Sequence, residues 1–548
     1  VAQKLLAVKM SWHGAAIRLW LTGNGRYGEW ATLLLGVLYL LRTFNLKPLL
    51  GDEGVATMGA WRIASGQVPG RDFFEIIPPF SFLPTAVAFR LLGVSVVAER
   101  LVAFVWGCAL LLLIAALLRR FVHGDWARAA GLCLFIPFGA GCWPIPSHHW
   151  AVVVLQLAAL WALDRSAENG GERHWAALSG VLAALACFTL QDQGFYLVAA
   201  LTLLYFPLLP AEIKKNRLFI SWAGAGLSVV AIFAAWLLPR VSLAEIFNQW
   251  VAFPAQAYKS MLGNQSNLFA GWSTVAFQWK WSVFSSQPIY TISITVVEAF
   301  IWSLPALGLL SIGLAWRRKW LPSSRIGLLL AGELAFAGGC AHRWAMSNLT
   351  WAAAASLIPV MVAMERGMAA ESPWIRRASK CACAAIGICA LSVGLIFFRY
   401  AALRYNAPIV SPAGTLRSSD FALAKHIQQA VLAIDRSVPP SDGLISSGFT
   451  PLISFLSLRY NPTPYNFLWY PEYNSRGQID SVMATLEKSR RVWVLLSRPL
   501  RPATPFEQFV ARNYRAVWSN EMFVLMAPVF SEQPALPKPE PPLGPRNK

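Results

Sequence analysis

The stretch Lys47-Pro-Leu-Leu-Gly-Asp-Glu-Gly54, continued by Gly66-Gln-Val-Pro-Gly-Arg-Asp-Phe-Phe-Glu-Ile-Ile-Pro-Pro79, lies between two apolar runs. Asp52, Glu53, Asp72 and Glu75 cluster there among glycines, prolines and aromatics. Turn-rich, acidic sequence framed by apolar runs reads as a loop outside a membrane, and its carboxylates as a candidate active site. A general base near neutral pH needs a carboxylate close to the hydroxyl it deprotonates and partly shielded from water. The rim of a transmembrane cavity offers both. Two adjacent acids also suit the start of the amphipathic stretch 55–65, because negative charge is favoured at a helix N-terminus. Both readings stand on these residues alone.

Outward from the loop, composition sets the class. The 548 residues are 56% hydrophobic and 14% charged, with a mean hydropathy of +0.48. Soluble domains carry about a quarter charged residues, so the chain is expected to be a polytopic α-helical membrane protein. A span takes about 20 mostly apolar residues. Eleven windows qualify: 28–46, 95–118, 126–143, 148–163, 174–190, 194–209, 218–238, 289–316, 326–341, 345–364 and 381–398. Several are short, which implies local bilayer thinning. The formal charge of +20 would suggest nucleic acid in a soluble chain. Here the basic residues sit in short connections between windows, where they report topology, and no nucleic-acid partner is expected.

The segment 78–93 is apolar enough for a twelfth span but holds three prolines and Arg90. Charge arbitrates. If it lies at the interface, the short loops on the N-terminal side collect Lys and Arg at twice the number found on the other side, as the positive-inside rule requires. This places the N-terminus in the cytoplasm and the acidic loop (47–94), the long loop 239–288 and the C-terminus outside. The eight cysteines fall in or beside apolar windows, so neither a disulfide framework nor a zinc site is expected. Residues 1–27 lack the continuous apolar core of a signal peptide, and Val1 at the start leaves a truncated beginning or another initiation codon open.

After residue 398 the composition becomes that of a soluble domain. Helical periodicity at 418–434, 475–488 and 505–514 alternates with short strand patterns at 443–447, 492–496 and 522–526. Alternation of this kind predicts a small α/β domain over 399–530, followed by a Pro-rich, disordered tail from 531 to 548.

The order of these features resembles a known family. One apolar span, Gly51-Asp-Glu-Gly54, the Gly66 to Pro79 stretch and an apolar segment closing on Leu91-Leu-Gly-Val-Ser95 look like the first extracytoplasmic loop of GT-C glycosyltransferases. Within that fold the chain is most similar to bacterial relatives of the protein O-mannosyltransferases and the lipid A aminoarabinose transferases, a glycosyltransferase family 39-like set. The resemblance covers the whole length. It implies transfer of a hexosyl or pentosyl group from a polyprenyl-phosphate donor to a lipid, glycan or protein acceptor on the periplasmic face of a bacterial inner membrane. Asp52 would be the first candidate base. Glu53 would be a second, or with Asp52 a ligand for a divalent metal if one is used. Relatives carry a His-Tyr or similar pair shortly after the arginine of the ninth span. Here Arg343 is followed by Trp344 and Asn348, so that pair's role does not transfer.

Further candidates have plain alternatives. Arg343 with His342 could hold the donor phosphate through a planar guanidinium, or snorkel at the interface. His148 and His149 could bind a metal or phosphate, or be structural. Asp192, between two glutamines, could line the cavity or serve a turn. Arg71, Asp72 and Glu75 are candidates for substrate binding. Glu298 and Glu333 lie inside windows, where an acid usually faces a polar cavity. They support a competing reading as a secondary transporter or lipid flippase, although no internal repeat of the kind such folds carry is visible. A catalytically inactive scaffold for envelope polysaccharide assembly is the third reading. No motif encodes the sugar, the acceptor or metal dependence.

Overall fold

A computed structural model of the chain describes residues 25–139, 143–168, 171–210, 215–256, 288–340, 346–471, 473–489, 491–498 and 504–529. Each of the eleven apolar windows falls on a helix. These are α1 (Gly25–Thr43), α4 (Val96–Phe121), α5 (Asp125–Phe138), α6 (His148–Glu168), α7 (Arg173–Cys187), α8 (Gln191–Ala200, extended by a π turn over Leu201–Tyr205), α9 (Lys215–Leu237), α11 (Pro288–Arg317), α12 (Ser323–Cys340), α13 (Met346–Met368) and α14 (Pro373–Arg404). Between them lie α2 (Asp52–Ala64), α3 (Leu83–Leu92) and the short α10 (Leu243–Phe247). Five of the long helices, α4, α6, α9, α11 and α14, are long and apolar enough to cross a membrane. Helices α5 and α7 are shorter than their windows, at 14 and 15 residues. They rise about 21–23 Å, less than a hydrocarbon core of about 30 Å.

Small residues set the helix spacing. A Cβ on Gly180 of α7 would lie 2.0 Å from the Trp222 carbonyl oxygen of α9, so these two helices touch backbone to backbone, as small residues permit in membranes. Ala352, Ala353, Ala354 and Ala355 of α13 are all buried in the bundle core. At the end of the bundle away from α2, Asp164 of α6 is buried between Arg120 of α4 and Arg325 of α12, whose Nε donates at 2.9 Å.

The segment 78–93 is a 3-10 turn (Pro79–Ser81) followed by α3. Its helical part rises about 20 Å at most, too little to cross. Phe82 packs on Gly59 of α2, and Phe89 stacks on Phe455 at 5.8 Å and 21°. Val87, Leu91 and Leu92 stay exposed, the arrangement of a helix lying in an interface.

Beyond α14 the chain forms a hairpin of β1 (Ala407–Ser411) and β2 (Gly414–Ser418), then α15 (Phe421–Ser437), β3 (Gly443–Ser446), α16 (Pro451–Leu456), α17 (Arg476–Lys488), β4 (Val492–Ser497), α18 (Pro505–Asn513), β5 (Tyr514–Ser519) and β6 (Phe523–Pro528). The four-stranded sheet has the order β3-β4-β6-β5, with β3 parallel to β4 and the other pairs antiparallel. Side chains alternate across it. Leu444, Trp493, Leu495, Phe523 and Leu525 face one core, and Ile445, Val494, Leu496, Val524 and Met526 face another beneath α17 and α18. The expected strands and helices are present. The hairpin β1–β2, the strand β5 and the helix α16 are additions that the sequence pattern did not separate. The tail 531–548 lies outside the described residues.

The first of these cores is shared. Met58, Ile63, Phe73, Phe82 and Phe89 from the acidic loop and its helices belong to the same cluster as Ile409, Leu416, Ile427, Leu452 and Phe455 of the C-terminal unit. The backbone of 45–47 pairs with Arg417 of β2. Gly54 allows the closest approach. A Cβ there would come within 2.1 Å of the Leu452 amide nitrogen, and that amide donates to the Leu50 carbonyl at 3.1 Å. We expect Gly54→Ala to lower the thermal unfolding midpoint, at a cost of about 1–3 kcal/mol, and to open the junction after Arg404 to protease. Gly477→Ala, at a helical position with nothing within 4 Å, should leave both readouts unchanged.

Candidate active site

Helix α2 begins at the quoted acids, and consecutive residues of a helix project in different directions. Asp52 is exposed, whereas Glu53 is fully buried. Glu53 Oε2 accepts from the Leu49 amide at 2.8 Å, and Oε1 takes the Arg100 Nη2 donor. Arg100, itself buried in the first turns of α4, also donates through Nη1 to the Leu46 carbonyl at 3.0 Å and the Pro144 carbonyl at 2.6 Å. Its Nε lies 3.4 Å from Glu99 Oε2. One guanidinium therefore ties the end of α1, the start of α2 and the approach to α6. Burial pushes the Glu53 carboxyl above its usual range, opposed by Arg100 and the Leu49 N–H.

Glu53 is thus committed to structure and does not converge with Asp52. The expectation of an Asp52–Glu53 ligand pair or a second base meets a carboxylate whose oxygens are both engaged. Among the described residues no three His, Cys, Asp or Glu side chains gather around one point. Gly51 has φ −84° and Gly54 is helical, so neither requires an unusual backbone. Both are small because the C-terminal unit presses on them: a Cβ on Gly51 would lie 1.9 Å from the Phe449 ring.

Arg71 and Asp72 form an ion pair with each other, through 2.8 and 2.7 Å contacts, and Asp72 Oδ2 accepts the Val68 amide at 2.8 Å. The Arg71 bond holds the Asp72 carboxyl below its usual range. The pair closes a turn at the loop surface and does not meet Asp52. Glu75 is buried. Its amide donates to Gln249 Oε1 at 3.1 Å, and its carboxylate accepts from the Ile77 amide and Asn466 Nδ2, each at 3.3 Å. Burial pushes its pKa up to about 8, against the nearby amides, Asn466 and Arg62. Arg62, missed by the sequence reading, is buried and donates to the carbonyls of Asn461 (3.1 Å) and Thr463 (2.7 Å). Glu75 and Arg62 thus belong to the seam between loop and C-terminal unit.

His148 and His149 open α6 in an aromatic cluster. The His149 ring stacks on Trp351 at 3.5 Å and 13°, and the two imidazoles are 4.1 Å apart. Asp192 is half-buried in the first turn of α8, where its Oδ1 accepts the Gln193 amide at 2.7 Å. Its neighbour Gln191 reaches the loop by donating to the Ile76 carbonyl at 3.2 Å. His342 and Arg343, and residues 257–287 of the long loop, lie outside the described residues. Arg100, Arg62 and Phe449 were not legible as site residues, although Glu99-Arg100 inside an apolar window was the available signal for the first.

Comparison with known proteins bears on the class. A family model described as dolichyl-phosphate-mannose-protein mannosyltransferase matches residues 77–238, from the end of the acidic loop through α9. No curated protein sequence matches. Among solved structures, ArnT from Cupriavidus metallidurans bound to undecaprenyl phosphate superposes with a TM-score of 0.57 at 14% identity, over 91% of this chain and 98% of that one. The Archaeoglobus fulgidus oligosaccharyltransferase, in complex with Zn and sulfate, gives 0.52 at 12% identity, over 86% and 68%. The oligosaccharyltransferase AglB of the same organism, with an inhibitory peptide and a dolichol-phosphate, gives 0.50 at 11% identity, over 93% and 75%. The chain shares the fold of these structures, and its residues 77–238 match the mannosyltransferase family model.

Two outcomes follow from the buried charges. Arg100→Gln leaves Glu53 and Glu99 without their cation, and breaking a buried pair in this way costs about 3–5 kcal/mol, to be read as a large fall in unfolding midpoint. For Glu75, the folded state keeps a proton that an unfolded carboxyl, with its ordinary value of 4.5, loses first. Stability should therefore fall as pH rises from about 4.5 to about 8 and then level off. Unfolding midpoints at pH 5, 7 and 9 check this, and Glu75→Gln should flatten the slope.

Proposed function

We propose that the chain moves a sugar from a polyprenyl-phosphate donor to an acceptor hydroxyl on the periplasmic face of a bacterial inner membrane, with Asp52 as general base. The observation that carries this reading is the split between neighbouring acids: Glu53 is locked to Arg100, and Asp52 is held exposed beside it at the start of α2. A carboxylate with a fixed backbone and an open face suits proton transfer from an incoming hydroxyl. In the step proposed, Asp52 accepts the acceptor proton while the acceptor oxygen bonds to the anomeric carbon. The bond from that carbon to the phosphate oxygen breaks, its electron pair leaving with the lipid phosphate. A single displacement inverts the anomeric configuration.

Support for the donor class comes from the polyprenyl phosphates named for the similar structures, undecaprenyl phosphate and dolichol-phosphate. Arg343 and His342 remain our candidates for the leaving phosphate. The topology proposed is eleven crossings, with the N-terminus cytoplasmic and residues 399–530 periplasmic. Glu333, which underlay the transporter reading, accepts a hydrogen bond from Ser356 at 2.8 Å and packs against Gly308 of α11. These contacts join α11, α12 and α13 and give Glu333 a place in helix packing.

Asp52→Asn is expected to lower transfer from a polyprenyl-phosphate-linked sugar by about 10²–10⁴-fold. Because Asp52 is exposed, unfolding midpoint and donor binding should be unaffected. A variant with near wild-type turnover would remove Asp52 from the role, and retained anomeric configuration in the product would exclude the single displacement.

A further inference from the structure

The C-terminal unit reaches the candidate base through one short segment. Strand β3 ends at Ser446, and three residues later Phe449 sets its ring against Gly51, next to Asp52. Trp469 stacks with Phe449 at 5.5 Å and 24°, and Phe467 meets it edge-on at 4.9 Å and 73°. Phe467 is buried, but Phe449 and Trp469 are only half-buried, so the stacked pair keeps open surface beside the base. The backbone beneath is fixed. The Gly448 amide donates to the Leu468 carbonyl at 2.6 Å, and the Trp469 amide to Asn474 Oδ1 at 2.6 Å.

Hydroxyls frame this aromatic surface. Ser497 Oγ, half-buried, and the buried Thr450 Oγ1 donate to the Ser447 carbonyl at 2.8 and 3.1 Å, leaving the Ser497 oxygen able to accept. They lie at the carboxyl ends of the parallel strands β3 and β4, the end at which open α/β sheets present ligand crevices. The outer edge of β3 is already taken: the Leu444 amide donates to the Tyr460 carbonyl, and the Leu468 amide to Ser446. An extended peptide therefore finds no free edge there to pair with. A pyranose ring fits better, with its C–H face flat on an electron-rich ring and its hydroxyls directed to the rim.

Resting on the reading of Asp52 as base, we infer that the Phe449–Trp469 pair is the acceptor platform and that the acceptor is a glycan. The donor carries a lipid and arrives along the helices. The platform belongs to the C-terminal unit, which packs on the start of α2 at Gly51 and Gly54.

The test uses the full chain in nanodiscs on an array carrying oligosaccharides, extended peptides and lipid-linked controls, followed by titration with the free oligosaccharide bound best. Wild type and Asp52→Asn should bind the same glycans. Trp469→Ala should weaken binding about tenfold or more, equivalent to ~1.4 kcal/mol, and Trp469→Phe should restore most of it. If Trp469→Ala fails to fold, Phe449→Leu takes its place. Binding of peptides or lipids alone, binding of nothing, or glycan binding indifferent to these substitutions would each overturn the inference. Turnover of Asp52→Asn tests the base separately: an active variant sinks the base and leaves the platform standing on its binding result.

Discussion

Arg100 is the point on which the site geometry depends. A guanidinium is costly to bury unless its donors are matched. Here they are shared among the Glu53 carboxylate and the carbonyls of Leu46 and Pro144, with Glu99 alongside. Leu46 closes α1, Glu53 opens α2, and Pro144 leads into α6. The start of α2 cannot shift without breaking one of these contacts, and Asp52 shares its backbone. Glu53, which reads in the sequence as a second candidate base, thus acts as the anchor that fixes the backbone of Asp52.

The C-terminal unit completes the same arrangement from the other side. It shares a core with the acidic loop, it crowds Gly51 and Gly54, and it supplies the backbone carbonyls that receive Arg62. Glu75 lies in that seam, between Gln249 and Asn466. The unit is thereby part of the wall around Asp52.

Much of this was legible in the sequence, and the remainder was not for physical reasons. Long apolar windows locate helices because a hydrocarbon core demands them, and all eleven did so here. Short apolar runs alternating with helical periodicity located β3, β4 and β6. The glycines flanking Asp52 and Glu53 were recognisable as special, but their cause was a contact with residues some 400 positions away, which no local pattern carries. Arg100 looked like one more charge at a membrane face, since adjacency to Glu99 does not reveal that its partners are Glu53 and two carbonyls. Asp72 and Glu75, three residues apart, looked equivalent, yet one closes a surface turn and the other is buried.

The seam also has a consequence in time. Arg62 and the carbonyl it binds at Thr463 are separated by 401 positions. A ribosome adding about 5–20 residues per second needs roughly 20–80 s between them. Throughout that interval the acidic loop lacks the surface that covers it, and Arg62 and Glu75 lack the partners at 461–466 that satisfy them. The seam beside Asp52 is therefore one of the last things the nascent chain makes. The setting of Asp52 stays incomplete until the final quarter of the chain has been made.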